Sequence, residues 1–360
     1  MAAELKESRI ALVIWTADQY ADSDNLLCEL RHQTLQPDAV VLVSPRDNLR
    51  LAEKRGDLGT RWMLTEIRAS YRSASYIWFL GWRAVRDFDV VVYLEAGISL
   101  PEVNALQTLV EPIGWDHRYI TASTAMVREA GRNEVFGGVR GTPAGFGRLT
   151  RGFRVPGTLP GDLTPAGRRT LPDNLAEYTR VGWVDMRAMA CRTRSLTESC
   201  FTEVMFAFGA MGAVELEEAF LGRRLQLRGG EMVLVKACPV RHTQTEKLGD
   251  ARAARCRGYA EAFGQRYFND YYRGGDWPPR SDRFRLLLDY GVTLLCRLTE
   301  TAKAPSRYRL WYCWGYLLGI LKAVRVRPDN SGIGACVPWR ESASSDLALG
   351  WRSRHREVTR

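Results

Sequence analysis

Ile10-Ala-Leu-Val-Ile-Trp15 is an unbroken apolar run that stops at Thr16-Ala17-Asp18. A run this short and this apolar reads as a β-strand covered on both faces. Two further stretches repeat the pattern. Ala39-Val-Val-Leu-Val43 ends at Ser44-Pro45-Arg46-Asp47, and Val90-Val-Val-Tyr-Leu94 ends at Glu95-Ala96-Gly97. Residues 23–35 set Leu26, Leu27, Leu30 and Leu35 at helical spacing on a polar background, and a second helix is expected near 71–85. Strand and helix in alternation imply a parallel sheet with right-handed crossovers, an α/β fold. Such sheets bind ligands beyond the carboxyl ends of their strands. Here those ends carry Thr16 and Asp18, Ser44 and Asp47, and Glu95.

Beyond the third strand the pattern changes. Residues 131–174 are rich in Gly, Pro, Thr and Arg without a hydrophobic period, and read as a long flexible loop. Its Gly145-Phe-Gly-Arg-Leu-Thr-Arg-Gly152 neither follows a strand nor opens a helix, as a phosphate-binding glycine loop should. Helical pattern returns from Phe201 through Glu215, Glu217 and Glu218 to Leu227, and Gly229-Gly230 breaks it. Met232-Val-Leu-Val235 then reads as a strand running on to Arg241-His242. Helices are expected over 251–272 and 282–327, the latter interrupted near Pro305, and a polar tail over 328–360. The expected organisation is a domain over 1–275, a helical extension over 276–327 and the tail.

Composition bounds the function. With 46% hydrophobic and 26% charged residues, the chain is not disordered, collagen-like or a coiled coil. Its net charge of +10 points to anions, and all but six of the 51 basic residues are arginine, which pairs bidentately with phosphate and carboxylate. The arginines are spread along the chain in no dense block, so nucleic acid is not the expected partner; their number matches codon usage in a GC-rich genome. The eight cysteines form no CxxC pair, and the first fifteen residues lack the basic n-region of a secretory signal. Reduced thiols in a cytoplasmic protein are the simplest expectation.

Taken together, four segments resemble the family-2 glycosyltransferases, nucleotide-sugar enzymes of the GT-A (Rossmann-like) fold. They are the first strand with Thr16-Ala17-Asp18; Gln36 followed by Pro37-Asp-Ala-Val-Val-Leu-Val43; Phe88-Asp-Val-Val-Val-Tyr-Leu-Glu-Ala-Gly-Ile-Ser-Leu-Pro-Glu102; and Glu217-Glu-Ala-Phe-Leu-Gly-Arg-Arg-Leu225, with Gly230 and a strand to His242 behind it. The resemblance spans roughly residues 9 to 270. It implies a mostly parallel sheet flanked by helices, with a helical C-terminal extension. It also implies an inverting transfer of a sugar from a UDP-, GDP- or dTDP-linked donor to a hydroxyl acceptor: a surface glycan, a lipid-linked sugar or a small secondary metabolite such as an antibiotic core. The departures concern the metal. The family's acidic triplet is reduced to Glu95-Ala96-Gly97, Ser44 stands where an Asp is usual unless Asp47 replaces it, and one Asp of the acidic pair has become Glu218.

The chemistry assigns the expected roles. A departing nucleotide diphosphate gains charge and needs a cation beside it, either a divalent metal on oxygen ligands or arginine. The resemblance places Mg2+ or Mn2+ at Glu95 with His242, and the arginine candidates are Arg46, Arg83 and Arg241. Glu95 is otherwise a helix cap or loop residue, and His242 a strand-end histidine. The acceptor hydroxyl needs a general base, which the resemblance places at Glu218 with Glu217 as neighbour; adjacent helical residues point about 100° apart, so only one of them faces the cleft. The bland alternative is a solvated helix face. The donor is expected against Thr16, Ala17, Asp18, Ser44, Asp47, Arg83, Glu95 and Gly97. Trp15 and Trp82 either stack on the base or belong to the core.

Residues 308–327, aromatic and flanked by Lys322, Arg325 and Arg327, suit either packing on the catalytic domain, the favoured reading, or a homodimer seam, or peripheral contact with the inner face of a membrane. Its longest apolar stretch, Trp311 to Leu321, is about half of the ~20 residues a spanning helix needs. Two rival functions remain. One is a non-catalytic glycosyltransferase-like protein that binds sugar or partner. The other, a nucleotidyltransferase, is disfavoured because Trp15-Thr-Ala-Asp-Gln-Tyr20 lacks a Gly-rich basic loop.

Overall fold

The computed structural model describes residues 8–16, 23–45, 62–69, 74–128, 176–201, 216–242, 251–272, 279–303 and 305–325. The expected loop at 131–174 and the tail at 328–360 lie outside the described residues. The three apolar runs are strands: β1 (Ile10–Trp15), β2 (Ala39–Ser44) and β4 (Val90–Glu95). Between β2 and β4 stands β3 (Met63–Arg68), which the sequence reading omits. All four are parallel, in the order β3-β2-β1-β4. Helices α1 (Asp24–Leu30) and α2 (Ala74–Val85) are the crossovers before β2 and β4.

The second half of the sheet is mixed. After β5 (Ile98–Ser99) and α3 (Ala105–Trp115) come β6 (Tyr119–Arg128), β7 (Tyr178–Val181), β8 (Ala188–Arg192), α4 (Glu217–Leu227) and β9 (Glu231–His242). Strand β8 runs antiparallel between β4 and β6; β9 is parallel to β6 and antiparallel to β5 and β7. The arrangement is α/β and Rossmann-like, as expected: a sheet parallel through its first four strands, flanked by helices, with further helices at its C-terminal end.

Side-chain alternation divides the core in two. Ala11, Val13, Trp15, Val41, Val91 and Tyr93 face α2 and α4. Leu12, Ile14, Val40, Leu42, Val92 and Leu94 face α1 and α3. Because both faces are covered, these strands carry no polar alternation, which is why they read from sequence as continuous apolar runs.

Three helices follow the sheet: α5 (Ala251–Tyr272), within the expected 1–275 domain, and α6 (Pro279–Lys303) and α7 (Arg307–Arg325), within the expected extension at 276–327. Phe268 of α5 meets Phe220 of α4 edge-on, ring centroids 4.9 Å apart, and so ties α5 to the helices on the sheet. Helices α5 and α7 approach backbone to backbone: a Cβ on Gly258 would strike the Tyr312 carbonyl, and one on Gly315 the Arg255 carbonyl. Behind them, Tyr316 donates to Gln265 Oε1 at 2.6 Å and Tyr290 of α6 donates to the Ala262 carbonyl at 2.7 Å. The packing expected of residues 308–327 is therefore present on one face of α7.

The glycine contact is testable. Gly258→Ala should cost about 1–3 kcal/mol through overpacking. Gly291→Ala on α6, where an added Cβ meets nothing within 4 Å, should be neutral or stabilise by up to ~1 kcal/mol. Chemical denaturation of the two variants beside the parent chain measures both.

Candidate functional site

The carboxyl ends of β1 and β4 lie side by side, with Trp15 opposite Glu95. The Thr16 N–H donates to the Val43 carbonyl at 3.1 Å, and the Ala96 N–H donates to the Trp15 carbonyl at 2.9 Å. Thr16 and Ser44 are both buried at this edge. Gly97, also buried, turns the chain into β5, where Ile98 pairs with His242 and Ser99 with Arg241. The backbone thus brings Thr16, Ser44, Glu95, Gly97 and His242 to one edge of the sheet. The side chains of His242 and Arg241 lie outside the described residues, as do Ala17, Asp18, Arg46 and Asp47.

Across these strand ends runs Gly182-Trp-Val-Asp-Met-Arg187, the link from β7 to β8. The Trp15 indole N–H donates to the Met186 carbonyl at 2.8 Å. The Met186 N–H donates to Glu218 Oε1, also at 2.8 Å. One residue further on, the Arg187 carbonyl accepts the Glu95 N–H at 2.8 Å. Glu218 and Glu95, some 120 positions apart in the chain, are therefore joined through a single dipeptide.

The strap is stiffened from within. Asp185 is fully buried, and its carboxylate receives both Nε and Nη2 of Arg187, at 2.8 and 2.6 Å, together with the Arg187 N–H at 3.1 Å. A carboxylate buried this deeply is tolerable only when charge-paired and hydrogen-bonded, and the bidentate guanidinium supplies both. The Asp185 N–H donates to Ser123 Oγ at 3.0 Å, which fixes the strap to β6. Arg187 keeps 22% of its side-chain surface exposed. Sequence reasoning missed this pair; the Asp-x-Arg spacing inside an otherwise apolar segment was its only local signal.

Helix α4 leans on the same strap. A Cβ on Gly222 would lie 3.1 Å from Trp183 Cα and 3.3 Å from the Val184 nitrogen, closer than most side chains would permit. One turn earlier on that face stands Glu218, and the close approach seats it over Met186. Its neighbour Glu217 points elsewhere. It is 2% exposed and accepts from the Ser75 N–H at 3.2 Å and Ser75 Oγ at 2.9 Å. Ser75 opens α2, whose first-turn N–H groups lack intrahelical partners. A carboxylate there caps the helix and meets the positive end of its dipole. The acidic pair is thus no solvated face: Glu217 anchors a helix, and Glu218 faces the strap.

One expectation is corrected, and the alternatives left open for Trp82 and Trp15 are narrowed. Arg83 is exposed in the last turn of α2, and a crossover helix ends at the edge where the next strand begins, opposite the carboxyl ends. It does not belong with the donor-binding residues. Trp82 packs against Phe79 and Phe201 at 6.1 and 5.7 Å between ring centroids, a core position. Trp15, buried and edge-on to Trp78 at 5.4 Å, is core as well, apart from its indole N–H.

Titration of the sheet's buried groups provides no nucleophile. Burial pushes the Cys191 thiol and the Tyr93 hydroxyl well up, so both are neutral near pH 7. As for a metal, the described residues contain no group of three or more His, Cys, Asp or Glu able to hold one. Of the two expected ligands, Glu95 is described at the end of β4, and the side chain of His242 lies outside the described residues; one carboxylate would hold Mg2+ or Mn2+ mainly together with the donor's phosphates.

No family model matches the chain, and no curated protein matches it in sequence. Its chain path is similar to that of several solved structures. One is a mannosyltransferase from Pyrobaculum calidifontis in complex with GDP-Man and Mn2+, with 13% identity, 88% of this chain and 87% of that one covered, and a TM-score of 0.47. Another is glucosyl-3-phosphoglycerate synthase from Mycobacterium tuberculosis with Mn2+, UDP-Glc and phosphoglyceric acid, with 13% identity, 77% and 89% covered, and a TM-score of 0.45. A third is GalNAc-T7 with UDP, GalNAc and Mn2+, with 14% identity, 78% and 54% covered, and a TM-score of 0.46. Likeness at this level says nothing about activity.

The division within the acidic pair predicts a division of effects. Glu217→Ala leaves the first turn of α2 without its acceptor and should lower stability by about 1–3 kcal/mol. Glu218→Gln, which keeps an oxygen for the Met186 N–H, should change it by less than ~1 kcal/mol. Urea unfolding followed by circular dichroism separates the two.

Proposed function

We propose that this chain is an inverting glycosyltransferase that moves a sugar from a nucleotide diphosphate to a hydroxyl group. The observation that carries the reading is the junction of Glu218 and Glu95 through Met186–Arg187 at the carboxyl ends of the parallel strands. That edge is where open α/β sheets take nucleotides, and the junction holds the Glu218 carboxylate beside it through the Met186 N–H.

In this reading the nucleotide lies along Thr16, Ser44 and the residues that follow β1 and β2, among them Ala17, Asp18 and Asp47. The diphosphate lies near Glu95 and Gly97. Arg187, paired with Asp185 and partly exposed, places a positive charge toward the charge that grows on the leaving phosphate. Glu218 is the general base. An acceptor hydroxyl has a pKa far above neutrality, and a positioned carboxylate that removes its proton as the new bond forms contributes about 10²–10⁴-fold. The Met186 N–H holds that carboxylate in one orientation, so little reorganisation is needed on reaction. Attack from the face opposite the leaving phosphate, in one step, inverts the anomeric centre. The acceptor is a glycan, lipid-linked or small secondary-metabolite hydroxyl.

One observation favours a second reading. A carboxylate that accepts a backbone N–H, as Glu218 does, also serves a purely structural end, and a protein with a single carboxylate at the metal position suits sugar binding without turnover.

A thermal-shift screen against UDP-, GDP- and dTDP-sugars identifies the donor, since a ligand selective for the native state raises Tm. With that donor, Glu218→Ala should lower turnover at least ~10²-fold while donor binding is spared. Unchanged turnover removes Glu218 from the role of base. A parent chain that binds the donor but neither transfers nor hydrolyses it establishes the binding-only reading instead. Arg187→Lys, which leaves Asp185 a cation but removes the planar guanidinium, should weaken donor binding and turnover together, because the charge acts in both states.

A further inference from the structure

Most large apolar side chains left exposed among the described residues stand on two helices. On α6 they are Phe284, Leu287, Leu295 and Leu298, with Phe284 at 69% exposure. Their spacing of three, eight and three puts them on one side of the helix, while Leu286 and Tyr290 face inward toward α5 and α7. On α7 they are Leu310, Trp314, Leu321 and Val324, spaced four, seven and three apart, again on one side. The other side of α7, with Tyr312, Gly315, Tyr316 and Gly319, is buried. Each helix thus has one face packed and a second apolar face exposed, and the contacts of Thr301 with Cys313 and of Tyr290 with Tyr316 set the two helices as an antiparallel hairpin.

Charge identifies what covers the stripe. Residues 279–325 contain nine basic and three acidic residues, and α7 has four basic and no acidic ones. Arg307 stands three residues before Leu310, and Arg325 four after Leu321, so an exposed cation ends the α7 stripe at each terminus. Apolar side chains between arginine ends match a surface with hydrocarbon below and anionic headgroups beside it, where long basic side chains reach outward to phosphate. A second copy of the hairpin would meet this excess of positive charge with its own. None of the helices among the described residues is long and apolar enough to cross a bilayer.

We propose that the exposed face of the α6–α7 hairpin is a peripheral docking surface for a membrane rich in anionic phospholipid, independent of the reaction proposed above. The apolar stripe enters the headgroup layer, and Arg307, Lys322 and Arg325 pair with lipid phosphates.

Sedimentation of the full chain with vesicles tests this. The chain should pellet with phosphatidylcholine vesicles containing phosphatidylglycerol and stay in the supernatant with phosphatidylcholine alone. Replacing Leu295 and Leu321 by Glu should lower partitioning at least ~10-fold with an unchanged melting transition, since both side chains are exposed. Arg307→Gln and Arg325→Gln should each lower it about fivefold, an effect that added salt erases. The proposal is overturned if the parent chain ignores phosphatidylglycerol vesicles at low salt, or if the double Glu variant binds as the parent does. It is equally overturned if the parent is a dimer in equilibrium ultracentrifugation and the double variant a monomer, which would assign the face to a second copy.

Discussion

One residue, Met186, is grasped by both of its backbone polar groups. The Trp15 indole takes its carbonyl and the Glu218 carboxylate takes its N–H. The two grips come from the first strand and from a helix some two hundred residues later, and Glu95 binds the next carbonyl along. Remove the strap and α4 keeps its Glu217 bond to α2 and its packing on the core, but Glu218 loses its link to the ends of β1 and β4. The strap in turn stands only because Asp185 and Arg187 neutralise one another inside it. A charge pair at that depth contributes little net stability over an apolar substitute, but it breaks badly if one member is lost. Its effect is to fix one conformation for a segment that would otherwise be a loop.

Around this strap the molecule places its polar groups where the chain has orphan valences. Glu217 satisfies the start of α2. Arg192, at the end of β8, donates to the carbonyls of Ile113, Asp116 and Tyr119 where α3 runs into β6. Glu29 of α1 takes Ser99 Oγ at 2.7 Å and the Leu100 N–H just beyond β5. Each case joins segments distant in sequence through a charged group and unsatisfied backbone atoms, so the sheet's irregular connections are as firmly located as its strands.

How much of this was readable in advance depended on range. β1, β2 and β4 announce themselves because apolar cover on both faces removes every polar residue from their middles. α5 runs over the expected residues, 251–272. β3 was overlooked: Met63-Leu-Thr-Glu-Ile-Arg68 lies at the sheet's edge, alternates, and is half exposed. β8, Ala188-Met-Ala-Cys-Arg192, has no β-branched residue to mark it and is a strand only because β4 and β6 pair with it. At the site, the motif around Glu217-Glu218 was visible and the resemblance chose Glu218 as the base, but the partners of the pair were not, since Ser75 and Met186 lie 142 and 32 residues away. Arg83 was misplaced for the converse reason: proximity to β4 in sequence does not say which edge of the sheet a crossover helix ends on. Asp185 and Arg187 gave no periodic signal at all.

The split between Glu217 and Glu218 bears on how such a motif is used as a marker. Glu217 answers to the start of α2, and that demand exists whether or not the protein transforms anything. A lineage that had lost all chemistry would still be selected to retain an acid at position 217, and any carboxylate at 218 would go on receiving the Met186 N–H. An acidic dipeptide at this place therefore certifies the fold before it certifies an enzyme. The informative substitutions in a drifting relative are those that spare the hydrogen bond and remove the charge.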